Sequence, residues 1–312
     1  MAVRNLAEND VQRLLDPGRL IDAIEAAFRD RYPRVTIPAR THFNLADGLF
    51  LAMPCYDPAN NSLGMKLVGL TSKAGRAQSD VRATYLKLDP ETGAPSCVMG
   101  ATYLTELRTA ATSAVATRHL ARPDAKTLGI FGTGREARAH LHALLLVRDF
   151  ERVLVCGSGP SRSREFVDEM VRSTEIKIEA ATPEQCAAES DVICTCTNSS
   201  EPLFDGKLLQ PGTHLNLVGA FRPNTREVDD VAVERSRVVV DTYDGALSEA
   251  GELIIPMASG RITREHILAD LHELVSGKKT VRRSRDDITL FKSVGCALED
   301  LVAAELCEAA QI

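Results

Sequence analysis

The chain has 312 residues, 44% of them hydrophobic and 26% charged, the composition of an ordinary soluble globular protein long enough for two domains. A net charge of −6 argues against nucleic acid or an anionic membrane as the main partner, though local cations can still hold a small anion. No apolar run approaches the roughly 18 residues that span a bilayer, and the first ten residues lack the apolar stretch of a signal peptide, so the expected location is cytoplasmic.

Asp16-Pro17 reads as an N-cap followed by proline at the first helical position. Leu20, Ile21, Ile24, Ala27 and Phe28 then form one apolar stripe, which predicts an amphipathic helix over 17–30. Beyond Pro33 the pattern changes to short strands, at Ile37–Asn44, Leu49–Tyr56, Gly64–Thr71, Val81–Leu88 and Pro95–Gly100, with a hairpin connection at 89–93. This first third reads as α+β with a largely antiparallel sheet. A helix dense in small residues follows from Glu106 to His119, with Arg108 near its start.

At Thr127 the rhythm becomes that of a dinucleotide-binding unit. The apolar run Leu128–Phe131 leads into Gly132-Thr133-Gly134-Arg135-Glu136-Ala137 and then into an alanine-rich helix. Gly132 permits the tight turn, Gly134 lets backbone approach a pyrophosphate, and Ala137 lets helix and strand pack closely. The helix N-terminus adds free N–H groups and the positive end of its dipole. Further strands are predicted at 152–156, 176–180, 191–197, 213–218 and 237–242, with helices between most of them. That alternation predicts a Rossmann-type, doubly wound parallel sheet. Phe291-Lys-Ser-Val-Gly295 reads as a lead into a last helix, 296–310, which is expected to pack back on the first domain. The expected division is 1–120 with 293–312 as an α+β substrate and dimerisation domain, and 121–292 as the Rossmann domain.

Three cations stand out: Arg40, Lys66 and Arg108 lie in segments otherwise apolar or neutral, where a lone charge is costly to bury. A bound carboxylate accounts for all three, since arginine holds carboxylates in a bidentate fork. At the end of the second Rossmann strand no acid is present to grip a ribose 2′-hydroxyl. Ser158 and Arg162 stand there instead, which favours NADP(H), with NAD(H) as the alternative. The eight cysteines are scattered, and Cys194-Thr-Cys196 is the one close pair, on a strand-like run whose alternate side chains share a face. No C-x-x-C or matching histidine spacing supports a metal, so the thiols read as structural. His140 and His142 read as packing or surface residues, and Asp229-Asp230 and Asp286-Asp287 as helix-start or turn charges.

Together these residues resemble the ornithine cyclodeaminase/mu-crystallin family over nearly the whole chain. The marks are Pro38-Ala-Arg40, Met65-Lys66-Leu-Val68, Leu107-Arg-Thr-Ala-Ala-Thr-Ser-Ala-Val-Ala116, the glycine loop, Asp191–Thr197, Gly212–Ala220, Arg222-Pro223, Arg226-Glu227 and Phe291–Asp300. The resemblance implies a homodimer and places Arg40, Lys66 and Arg108 around the α-carbon and carboxylate of an α-imino or α-amino acid, with Met53 and Phe221 lining the substrate pocket. It implies a cofactor held by Gly132, Thr133, Gly134, Arg135, Glu136, Ser158, Arg162, Thr195, Cys196, Thr197, Val218, Gly219 and Val294. The family's shared chemistry is hydride transfer at an α-carbon.

The expected activity is NAD(P)H-dependent reduction of a cyclic α-imino acid such as Δ1-pyrroline-2-carboxylate or Δ1-piperideine-2-carboxylate. The alternatives are ornithine cyclodeamination, a linear amino-acid dehydrogenase, or a mu-crystallin-like binding protein. Two departures bear on the choice. Glu136 stands where the family usually has glutamine, and Phe221 stands where cyclodeaminases carry a catalytic aspartate in Gly-Asp-x-Pro. On this reading Lys66→Ala and Arg108→Ala lose activity and keep the fold.

Overall fold

The structure, a computed structural model, describes residues 3–71 and 80–310. The chain divides into two compact units, 1–108 with 296–312 and 109–295. The divisions expected after 120 and 292 are thus drawn at 108/109, inside a helix, and at 295/296.

The first unit opens with β1 (Arg4–Leu6), α1 (Glu8–Leu14) and α2 (Pro17–Asp30). β1 and α1 were not legible in the pattern. The helix expected at 17–30 forms there because Asp16 accepts the Arg19 N–H at 2.8 Å and proline occupies the first turn. Its stripe of Leu20, Ile21, Ile24 and Phe28 is wholly buried, each side chain contributing about 1.5–3 kcal/mol. β2 (Thr41–Leu45), β3 (Gly48–Asp57), β4 (Ser62–Thr71), β5 (Asp80–Leu88) and β6 (Pro95–Gly100) form a sheet in the order β1-β6-β5-β4-β3-β2, antiparallel except for β1 with β6. β2 starts at Thr41 rather than Ile37, and Arg40 immediately precedes it.

α3 (Thr102–Leu120) carries the chain into the second unit. Residues 110–117 are all buried, a run of small side chains enclosed on every face. Arg148 closes the end of α3, donating to the carbonyls of Thr117, Arg118 and Ala121 at 2.9–3.1 Å.

The second unit comprises β7 (Thr127–Phe131), α4 (Arg135–Leu145), β8 (Arg152–Cys156), α5 (Pro160–Met170), β9 (Lys177–Ala180), α6 (Pro183–Glu189), β10 (Val192–Thr195) and β11 (His214–Leu217). It continues with α7 (Asp230–Glu234), β12 (Ser236–Val240), α8 (Tyr243–Glu249), α9 (Gly251–Ala258), β13 (Ile267–Asp270), α10 (Leu271–Val275) and β14 (Ile288–Lys292). The eight strands are parallel, in the order β13-β12-β14-β11-β10-β7-β8-β9. From β7 the chain runs outward through β8 and β9, then returns to place β10 on the other side of β7. That reversal opens a crevice at the carboxyl ends of β7 and β10, where such sheets bind ligands.

Two strands of this unit escaped the sequence reading. β13 was not foreseen, and Phe291 and Lys292, expected to begin the lead into the last helix, instead end β14, central in the sheet between β11 and β12. Its Thr289 and Lys292 broke the apolar pattern, yet both are fully buried. The chain ends with α11 (Ala297–Ala309), which belongs to the first unit and packs on α2 and β4. No helix among the described residues is long and apolar enough to cross a membrane.

Candidate active site

In the first unit, β4 and the start of α3 bring Lys66 and Arg108 together on two consecutive acids of α11. Lys66 Nζ donates to Asp300 Oδ1 at 2.7 Å, and Arg108 Nε lies 2.9 Å from the same oxygen. Arg108 Nη1 donates to Glu299 Oε2 at 2.6 Å, while Glu299 Oε1 accepts the Cys296 N–H at the helix start. All four side chains are buried, Lys66 to 1% exposure and both acids to 0%. Neither acid was singled out from the sequence. They stand in the sequence only within the family mark Phe291–Asp300, with no role of their own.

Burial comes first and the charge of Arg108 second, and together they bring the Lys66 ammonium down to about 8 against the pull of Asp300 and Glu299. Arg40 is half-buried just before β2; burial of the His42 imidazole first, and the Arg40 charge second, hold that imidazole below its ordinary value. Met53 on β3 is the cross-strand partner of Lys66. Tyr85 on β5 is the cross-strand partner on the other side, its ring lying over Gly64, where a side chain would strike the phenol oxygen at 2.1 Å. Tyr85 Oη and Asp300 Oδ2 are buried with no hydrogen-bond partner, so this cluster retains a donor and an acceptor for a polar ligand.

In the second unit, the loops named from the sequence all fall at the carboxyl ends of adjacent strands. Gly132 takes φ +113° at the end of β7, and a side chain there would meet the Cys196 carbonyl at 2.4 Å. Gly134, by contrast, has nothing within 4 Å of where a Cβ would stand, and it opens α4 with no side-chain cap. Open backbone at a helix N-terminus is what a pyrophosphate needs, so the residues present fit a dinucleotide. Ser158 and Arg162 are exposed beyond β8, beside Gly157, whose lack of a side chain lets this loop abut Thr133.

Two buried acids to which the sequence reading assigned no role tie this edge together by hydrogen bonds. Glu227 accepts from the Thr195 hydroxyl (2.6 Å), the Thr197 N–H (2.8 Å) and hydroxyl (2.7 Å), and the Gly219 N–H (2.8 Å). It thereby ties the loops after β10 and β11 together. Burial pushes its carboxyl up, and the Lys292 charge opposes this. Lys292 also ion-pairs with Glu252 at 3.1 Å and donates to the Ala220 carbonyl at 2.5 Å. Asp241 Oδ2 collects Ser293 Oγ (3.0 Å) and the Val294 and Gly295 N–H groups (2.7 Å each). Phe221, next to the fixed Ala220 carbonyl, packs on the unit's core with the Arg222 guanidinium 5.7 Å from its ring. Asp229 caps α7 through the Ala232 N–H at 2.8 Å, and Asp230 pairs with Arg226 at 2.5 Å. Both are committed to structure.

The model of the ornithine cyclodeaminase/mu-crystallin family matches residues 2–310. A Δ1-pyrroline-2-carboxylate reductase of Bacillus cereus is 34% identical over 306 residues, covering 96% of this chain and 94% of that protein. The ketimine reductase mu-crystallin of Rattus norvegicus is 35% identical over 312 residues, covering 96% and 95%. Among solved structures, Thermococcus litoralis Δ1-pyrroline-2-carboxylate reductase in complex with NADH and L-proline superposes with a TM-score of 0.94 at 37% identity, covering 99% of this chain and 97% of that one. The chain belongs to the ornithine cyclodeaminase/mu-crystallin family.

Proposed function

We propose that this member of the family reduces a cyclic α-imino acid, Δ1-pyrroline-2-carboxylate or its six-membered homologue, to the amino acid. The observation that carries the reading is the buried ammonium of Lys66, brought to about 8 beside Arg108 and held at 2.7 Å by Asp300. Reducing C=N adds hydride to carbon and a proton to nitrogen. A nicotinamide dinucleotide, when bound, supplies the hydride. The Gly132–Gly134 loop and the α4 N-terminus hold its pyrophosphate. Arg40 and Arg108 bind the substrate carboxylate, and Lys66 gives the proton to nitrogen while Asp300 keeps its ammonium in place. The functional unit in this reading is a homodimer. β2 is exposed along its length and carries Phe43 (50% exposed) and Leu45 (40%), an apolar edge suited to a second copy. The test is oxidation of NADPH or NADH with the two cyclic imino acids. Turnover supports the reading, and binding without turnover would leave only a ligand-binding protein.

L-ornithine is expected not to be converted to proline. Cyclodeamination requires the substrate's δ-ammonium, with a pKa close to that of lysine, to lose a proton before its amine attacks. Phe221 can take no proton, and at best offers cation–π attraction of about 0.5–2 kcal/mol. Asp229 and Asp230 are held elsewhere, as described. Proline and ammonia forming from ornithine with catalytic NAD⁺ at about 1 s⁻¹ or faster would sink this.

The cofactor preference in this reading is NADP(H) over NADH. Exposed Ser158 and Arg162 offer a hydroxyl and a guanidinium where an acid would repel a 2′-phosphate. One charge-assisted contact contributes about 1.5–3 kcal/mol, or roughly tenfold to a hundredfold in kcat/KM. Arg162→Ala should lose that ratio and leave NADH use intact. Equal kcat/KM for the two cofactors in the parent protein would refute the preference.

A further inference from the structure

We propose that His140, Cys194 and Cys196 form a buried site for a thiophilic divalent cation, Zn²⁺ or its chemical equivalents, behind the glycine loop of the second unit. Cys194 and Cys196 stand at alternate positions along β10 and its extension, so their sulfurs emerge on one face, 3.5 Å apart. α4 brings His140 to that face, and one ligand atom from each of the three residues lies within 4.8 Å of the other two. Zn–S bonds of about 2.3 Å and Zn–N bonds of about 2.0 Å put the ligand atoms of a tetrahedral site roughly 3.5–3.8 Å apart, so the cluster needs only a small contraction to close on a cation.

The imidazole is already oriented as a ligand. Its Nδ1 is 2.7 Å from the Glu136 carbonyl, which can only accept, so a proton sits on Nδ1 and Nε2 is the nitrogen left to meet a cation. Nε2 faces Ser113 Oγ at 3.0 Å, and that oxygen borders the fourth position. His140 and Cys194 are fully buried, and Cys196 is the residue of the three that is partly exposed. Two thiols lose their protons to solvent as the cation binds. Two thiolates, one neutral imidazole and a divalent ion then sum to zero charge, which a buried site requires.

Occupancy would be felt by the dinucleotide loop. The Cys196 N–H donates to the Phe131 carbonyl at 2.7 Å, and the Cys196 carbonyl is the group that Gly132 gives way to. Drawing Cys196 toward His140 therefore shifts the backbone on which Gly132 rests. This coupling depends on the loop being the cofactor site, as proposed above, whereas metal binding itself does not.

The experiment uses the full chain, reduced and freed of metal by a chelator, titrated with Co²⁺ and then Zn²⁺. One equivalent of Co²⁺ should develop sulfur-to-cobalt charge-transfer absorption with release of two protons, and Zn²⁺ should bleach it. Cys196→Ser and Cys194→Ser should each weaken binding at least tenfold, while Cys55→Ser, on β3 in the other unit, should not. A folded parent protein without the charge-transfer band overturns the site, as does a band undiminished in the double serine variant. If a serine variant fails to fold, alkylation of Cys196 in the parent decides: protection by one equivalent of Zn²⁺ supports the site, and unchanged alkylation overturns it. Weaker NAD(P)H binding in the zinc-loaded protein supports the coupling. Zinc binding with cofactor affinity unchanged overturns the coupling alone.

Discussion

Lys66→Met should lower kcat/KM for imine reduction by about 10²–10⁴, the usual contribution of a positioned general acid. The parent enzyme's pH profile should carry the same signature. Reduction needs the ammonium form, so with Lys66 near 8 the rate should be flat below that pH and fall about tenfold per unit above it. Amino-acid oxidation needs the free amine and should rise through the same pH. Lys66→Arg keeps a charge that does not titrate in this range, so it should lose most of the rate and the break together. Removing Lys66 leaves Asp300 with Arg108 alone, so a control is needed for simple loss of structure. Lys66→Met/Asp300→Asn restores the charge balance and should recover thermal stability without recovering turnover. Wild-type kcat/KM in Lys66→Met would remove Lys66 from the chemistry.

Arg108→Ala should cost stability as well as activity, which amends the expectation that the variant merely loses activity. Glu299 and Asp300 are both at 0% exposure, and Arg108 reaches each of them. Stripping a buried ion pair of one partner costs about 3–5 kcal/mol, on the order of 10 °C in Tm for a protein of this size. Arg108→Lys keeps the charge and should recover much of that stability. A point charge replaces the fork that grips a carboxylate, however, so KM for the imino acid should stay raised at least tenfold. An unchanged Tm in Arg108→Ala would mean that the ionic cluster does not hold α11. Unchanged kinetics in Arg108→Lys would mean that the guanidinium does not meet substrate.

The legible parts of this molecule were those written in local chemistry. The proline and aspartate at the start of α2, the turn glycines at 132 and 134 and the small-residue face of α3 each act through their own neighbourhood, so spacing alone revealed them. β14 was missed because a lysine in the middle of a sheet makes sense only once Glu252 and the Ala220 carbonyl are beside it. The acids went the same way. Glu227, Asp241, Glu299 and Asp300 look like solvent-facing charges until the fold surrounds them with donors. Lys66 and Arg108 were found through the cost of burying a charge, and that cost is met in large part by acids of the chain itself, 234 and 191 positions further along. The histidine that joins Cys194 and Cys196 was invisible for the same reason, since it arrives from a different element.

The first unit is made from both flanks of the second, and that has a consequence for how the chain is born. Synthesis delivers Lys66 and Arg108 early, whereas Glu299 and Asp300 follow only after the entire Rossmann unit has been made. Until then two cations destined for the interior have no acids to meet, and burying them would be costly. Residues 109–295 are continuous and can close their sheet as they emerge, but the sheet of residues 4–100 must wait for α11. The cluster read here as the substrate site is thus completed only after the second unit, and a nascent chain cannot hold it before α11 has left the ribosome.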